Sequence, residues 1–287
     1  MLQSLKETVR EPSGTMSAIR QALMSSAGLR VAWVIVEAEE DVAVYEKFMQ
    51  RESTVVKTSE DSAGRKGYAN LEIIVREVKE EEPKAHIMGV RDADYSRYKE
   101  RCTVPANIFL TDRRDLEMML LEAKSVRQAL KEWIPKFEEA LDKSIPICRL
   151  FGYFRIYNDV FNLDVKFHDF LKTSLFWNYN QHALFDGWEK HCTDVFVSHV
   201  KGGCTEEDVK AFVHTLSLCQ EDFYDICRGH DVLHLLSLTL IQEHIYSETN
   251  IMTKMSEAYS LDDFKTTRLY TSIKVWEAVE GVSVLIA

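Results

Sequence analysis

Three groups of carboxylates each follow a short apolar run. Glu37 closes VAWVIV (31–36), and Asp41 stands four residues on. Asp92 and Asp94 follow HIMGV (86–90) in the stretch VRDAD. Asp115 and Glu117 follow NIFL (107–110) in LTDRRDLEMML. Residues four apart share one face of a helix, and residues two apart share one face of an extended strand. Each group can therefore present its acids together. Carboxylates crowded at one place repel, and divalent cations relieve that repulsion. Oxygen-only donors suit Mg2+ or Mn2+ rather than zinc. One or two such ions can clamp the attacking and leaving oxygens of a phosphodiester. Each piece has a plainer reading by itself: Asp41 as a favourable charge at a helix start, Asp92 and Asp94 as turn residues.

The elements that would carry these acids read as a compact α/β fold. VAWVIV is short and β-branched, the mark of a strand buried on both faces in a parallel sheet. A helix follows with Val42, Tyr45, Phe48 and Met49 on one face. Residues 54–57 read as a second strand; Leu71, Ile74, Val75 and Val78 mark a second helix; 86–90 and 107–110 are the third and fourth strands. This order predicts a Rossmann-like, mostly parallel sheet, with the ligand crevice at the C-terminal strand ends. From Leu116 onward the periodicity is helical, over 126–141, 158–171, 206–219 and 232–246. The expected organisation is a helical lead-in over 1–30 (with a helix over 17–25), an α/β catalytic domain over 31–125, and a packed all-helical region over 126–287. Phe167, Phe170, Phe176, Trp177 and Tyr179 are expected to fill core or a dimer contact.

In 287 residues, 35 Lys and Arg stand against 46 Asp and Glu, a net charge of −11. That excludes an overall basic footprint for nucleic acid. A phosphate substrate would have to meet metal and local basic patches. Two such patches stand out. Arg65 and Lys66 lie between Gly64 and Gly67, ahead of a helix whose N–H groups could take a phosphate. Arg91, Arg97, Lys99, Arg101, Arg113 and Arg114 crowd around VRDAD with Tyr95 and Tyr98 interleaved. Arg with aromatics suits a splayed single strand or RNA loop, and a solvated basic face is the plainer reading.

No run reaches the ~18–20 apolar residues of a membrane span. The N-terminus has no apolar signal core, which predicts a cytoplasmic protein. Six cysteines without a CxxC predict reduced, mostly buried thiols. Gly229-His230-Asp231 with His234 one turn on reads as a helix start with buried histidines rather than a metal phosphohydrolase. There is no GxxxxGK[ST], so nucleotide control would have to come from another chain.

The order of acids resembles the Toprim domain, the catalytic fold of topoisomerases, bacterial primases and OLD-family nucleases. In that family a Glu follows the first strand and a DxD follows a later one, matched here by Glu37 (VIVEAEED) and Asp92-Ala93-Asp94. The OLD-like branch adds an acid on the next helix, matched by Asp41, and acids after the following strand, matched by Asp115 and Glu117. VEAEEDVAVYEKFM, TDRRDLEMMLLE and RGHDVLHLL are similar to stretches of the Toprim effectors of PARIS-type phage-defence systems. The resemblance implies a metal-dependent nuclease, active as a homodimer on host tRNA in the bacterial cytoplasm. It also implies an ATPase partner that holds the nuclease inactive until a phage trigger is sensed. Glu37 would be a metal ligand or general acid/base, Asp92 and Asp94 would hold Mg2+ or Mn2+, and Asp41, Asp115 and Glu117 would complete one or two metal shells. Ala38 stands where the family usually has Gly, which keeps the side chain small but leaves the turn less free. Two other readings stay open: a degenerate Toprim module that docks on an ATPase without chemistry, and a DNA-directed OLD-like nuclease. The lack of a zinc-binding Cys motif counts against a primase.

Overall fold

Val34, Ile35 and Val36 have no solvent exposure at all, and Ala32 and Trp33 have almost none. A five-residue run buried on both faces belongs inside a sheet, and β1 (Ala32–Val36) sits there. The computed structural model describes residues 14–60, 64, 66–98, 103–167, 176–178, 180–181, 183–200, 204–219, 222–240 and 245–287, with Arg97 described for its backbone only. β1 lies between β2 (Thr54–Thr58) and β3 (His86–Arg91), and β4 (Ile108–Leu110) pairs with β3. All three pairings are parallel, in the order β2-β1-β3-β4. Parallel neighbours need crossovers. α2 (Glu39–Tyr45) follows β1, and α3 (Tyr68–Glu81) follows β2. α1 (Gly14–Leu23) and α3 share a core with the sheet, in which Ile19, Leu71, Ile74 and Val78 meet Trp33, Ile35 and Ile87. The expected mixed α/β fold with a parallel sheet is therefore present.

The second part of the chain is helical: α4 (Leu116–Glu122), α5 (Lys124–Trp133), α6 (Phe137–Phe161), α7 (Trp188–His199), α8 (Glu206–Leu218), α9 (Phe223–Ile226), α10 (Gly229–Thr239) and α11 (Glu248–Ala258). A short hairpin, β5 (Trp177–Asn178) with β6 (Ala183–Leu184), precedes α7. Residues 151–157 of α6 are buried without a break, so this stretch of the helix is covered on all sides, whereas its first turns keep an exposed face. Several helix limits differ from the sequence reading. The helix expected over 126–141 is two helices. Pro135 holds Ile134 extended, and Lys136 takes a left-handed φ of 60°, so the chain turns between α5 and α6. The helix expected over 158–171 is broken near its start: α6 ends at Phe161, Asn162 takes φ 51°, the chain is non-helical to Lys166, and 168–171 lie outside the described residues. The helix expected from 232 begins earlier, at Gly229, and ends at Thr239. Phe176 meets the ring of Phe151, and Phe167 lies over Arg155, so these aromatics serve the helical core; Phe170 and Tyr179 lie outside the described residues.

The chain then returns to the sheet. α12 (Leu261–Lys265) and α13 (Arg268–Glu280) precede a tail that folds back on buried Glu277. Its Oε1 accepts from Val284 N at 2.5 Å and Leu285 N at 2.6 Å. Gln50 N then donates to Val284 O at 2.7 Å, and Ile286 N to Phe48 O at 2.9 Å. The molecule accordingly divides into a sheet unit (residues to 92, 103–112 and 259–287) and a helical unit (93–102 and 113–258). The contiguous three-part division expected from the sequence misses this return. Among the described residues no helix is long and apolar enough to cross a membrane.

Candidate functional site

In the sheet unit, the acid after β1 reaches the backbone at the end of β3. Glu37 Oε1 accepts the Asp92 N–H at 3.0 Å, which ties the end of β3 to the end of β1. Asp41 turns back on the start of its own helix. Its Oδ2 accepts from Glu37 N at 3.1 Å and Ala38 N at 3.0 Å, so it closes the β1–α2 turn as well as flanking Glu37. The end of β2 is fixed by Ser59, which is fully buried. Its Oγ lies 3.4 Å from Glu37 O and 3.1 Å from Gly67 O, and it accepts from Gly67 N at 3.1 Å. Gly67 has φ 119°, a conformation side chains avoid, and it launches α3. The C-terminal ends of β1, β2 and β3 are thus knitted into one edge, where an open α/β sheet binds ligands.

Two residues at this edge escaped the sequence reading. Asp112 follows β4 as Glu37 follows β1, and that position was the available signal. Its Oδ2 accepts from Arg268 N at 2.7 Å and its Oδ1 from Leu269 N at 2.8 Å, so it caps α13. Tyr45 lies one turn beyond Asp41 and is 1% exposed. Burial raises its hydroxyl pKa well above 10, with the charges of Asp41, Asp92 and Asp112 adding to the shift.

The other acids belong to the helical unit. The strand alternation that would aim Asp92 and Asp94 alike ends at Arg91. Asp94 takes a left-handed φ of 45°, and its N–H goes to Arg114 O at 2.7 Å. Asp115 is 3% exposed and is spent on structure. Its Oδ1 caps α4 by accepting from Met118 N at 3.0 Å. Its Oδ2 accepts from Arg114 Nη1 at 2.6 Å and from Gly229 N at 2.9 Å. A Cβ at Gly229 would stand 2.8 Å from Asp115 Oδ1 and 2.3 Å from Glu117 Cβ, so only glycine lets α10 start there. Glu117 pairs with His230 at 3.3 Å, and His234 with Glu248 at 2.7 Å. These histidines are not buried as expected: their side chains are 62% and 41% exposed. Asp231 of the same turn points the other way, into an ion pair with buried Arg155.

The basic side chains proposed to face nucleic acid are engaged with carboxylates. Arg91 is buried, 3.1 Å from Glu72 and 5.3 Å from the Tyr68 ring centre. Arg113 binds Glu122, Asp225 at 2.8 Å and Asp222 at 3.4 Å. Arg114 lies between Asp115 and Asp94 and 4.6 Å from the Tyr95 ring centre. Its burial opposes the charge, but Tyr95, Asp115 and Asp94 outweigh that and hold its pKa above the usual value. Lys66 pairs with Glu60 at 3.2 Å. A phosphate reaching any of these four would displace a carboxylate. Arg65, Lys99 and Arg101 lie outside the described residues, as does the side chain of Arg97.

Among the described residues no three His, Cys, Asp or Glu side chains gather closely enough to hold a metal ion by themselves. Mg2+ does not require that. It is commonly held by one or two carboxylates and keeps several waters. Glu37 and Asp92, with Asp41 alongside, are an oxygen-only donor set of that kind. Beside them the Tyr45 hydroxyl is buried with no hydrogen-bond partner among the described residues. An open, water-rich Mg2+ or Mn2+ site fits these residues; a closed protein cage does not. No protein-family model matches the chain, and no curated protein matches it.

Proposed function

We propose that the chain is a divalent-metal-dependent nuclease of Toprim type. The observation that carries this is the Glu37 Oε1 to Asp92 N–H bond at 3.0 Å, which brings the Glu37 carboxylate to the backbone of Asp92 at the C-terminal edge of a parallel sheet. Glu37 and Asp92 would hold the ion, with Asp41 fixing the turn that presents Glu37. A bound Mg2+ or Mn2+ would polarise a phosphodiester and stabilise its developing charge. Asp115 has no part in this reading, because its carboxylate is taken up by Arg114, the cap of α4 and the Gly229 N–H. By resemblance, the activity is that of a toxic effector of phage defence, cleaving host tRNA and restrained by an ATPase partner. A homodimer in the bacterial cytoplasm belongs to the same reading.

The test is to express Glu37→Gln and Asp92→Asn beside the wild type and follow growth and RNA integrity with Mg2+ present. Loss of toxicity and of cleavage in folded variants supports the proposal. Cleavage unchanged by Glu37→Gln ends it. The runner-up, a degenerate docking module, draws on the capping work of Asp41, which gives that acid a purpose without chemistry. It predicts no Mn2+ affinity at this edge.

A further inference from the structure

We propose that Tyr45 is a positioning residue for the cation edge: its buried hydroxyl hydrogen-bonds to a water that the ion carries. The inference rests on the metal-edge reading above and adds a residue to it. Four observations converge on it, all within the sheet unit. Tyr45 is 1% exposed, and its hydroxyl has no partner among the described residues. It lies one turn from Asp41 on α2. Helix side chains lean toward the N-terminus, which on α2 is the direction of the Asp41 turn. The carboxylates whose charge it feels are Asp41, Asp92 and Asp112, the acids of that edge; Tyr259 is the other titratable group nearby. The ring packs edge-on against Phe264, whose centre is 6.2 Å away.

A buried hydroxyl without a partner is costly, and ordered water is its usual remedy. Mg2+ and Mn2+ bring such water, because they keep part of their hydration when bound by few carboxylates. Tyr45 is also absent from the sequence pattern of acids, so it can be changed without touching a proposed ligand. Phenylalanine keeps the ring and removes only the hydroxyl.

The experiment uses the full chain and Mn2+ alone. Mn2+ is titrated into wild type, Tyr45→Phe and Glu37→Gln by calorimetry, and bound water is followed by proton relaxation. The expected result for Tyr45→Phe is a Kd raised about tenfold, equivalent to ~1.4 kcal/mol. Its relaxation signal should change, and its melting temperature should hold or rise. A Tyr45→Phe protein that binds Mn2+ within about twofold of wild type overturns the inference. So does one that melts lower, since the hydroxyl would then have a structural partner. If wild type itself binds no Mn2+, or Glu37→Gln leaves binding unchanged, the metal-edge reading fails instead, and that outcome is separate from the Tyr45→Phe arm.

Discussion

Replacing Asp115 by Asn separates a structural acid from a metal ligand by the sign of its effect on stability. The carboxylate accepts three donors, two on Oδ2 and one on Oδ1. An amide has one acceptor oxygen. If that oxygen faces Met118 N, the NH2 confronts both Arg114 and Gly229 N. If it faces those two, the NH2 confronts the cap of α4. Either way a donor meets a donor in a place that is 3% exposed. The Arg114 side chain, 6% exposed, also loses its closest counter-charge, leaving Asp94 at 3.4 Å. Breaking one side of a buried ion pair costs roughly 3–5 kcal/mol. With Asp94 still near, about 3 kcal/mol is expected, a large share of the roughly 5–15 kcal/mol of a typical fold. The assay is urea unfolding combined with amide exchange read at α4 and the start of α10. Both segments should lose protection while the sheet unit keeps its own. A ligand acid behaves oppositely, since removing a charge from an acidic cluster relieves repulsion. An Asp115→Asn protein as stable as wild type that has lost Mn2+ binding would refute the structural assignment.

Three more outcomes follow from the geometry. Asp112→Ala removes both acceptors from the first turn of α13 and should cost about 1–2 kcal/mol in urea unfolding, with Asp112→Asn recovering part of it. Burial pushes the Cys192 thiol up to about 12 and the Cys148 thiol well above 9, whereas Cys219 is exposed. At pH 8 a thiol reagent should label Cys219 well ahead of Cys148 and Cys192, which it reaches only on unfolding; prompt labelling of either contradicts the packing. The hydrogen bond from His234 holds the Glu248 carboxyl below its usual range. The folded state therefore binds fewer protons there than the unfolded chain. That contribution is complete above the ordinary carboxyl pKa and drains as the pH falls through the lowered one. Acid titration of Glu248→Gln should show a smaller loss over that range than wild type.

The elements nearest the site were legible because their signals are local. VAWVIV states a strand buried on both faces by composition alone, and helices between strands state parallel pairing. The adjacency of Glu37 and Asp92 follows, because two parallel neighbours end at the same edge. The helix limits were less legible. Pro135 and Asn162 stop or turn helices whose apolar periodicity runs on past them.

Sequence by itself determined which residues end the strands and what their oxygens could bind. Tertiary structure decided what those oxygens are used for. Asp115 looks like Asp92 in the chain, an acid after a strand. Its partner Gly229 stands 114 residues away, and no local pattern carries that pairing. Asp112 was passed over although it follows a strand more closely, and its partner Arg268 lies 156 residues on. The His230 and His234 face is exposed because Asp231, between them, is drawn inward by Arg155. Periodicity and turn chemistry act over a few residues, so they can be read along the chain. A buried charge instead takes whichever partner the packing brings to it, and the packing is a property of the whole fold.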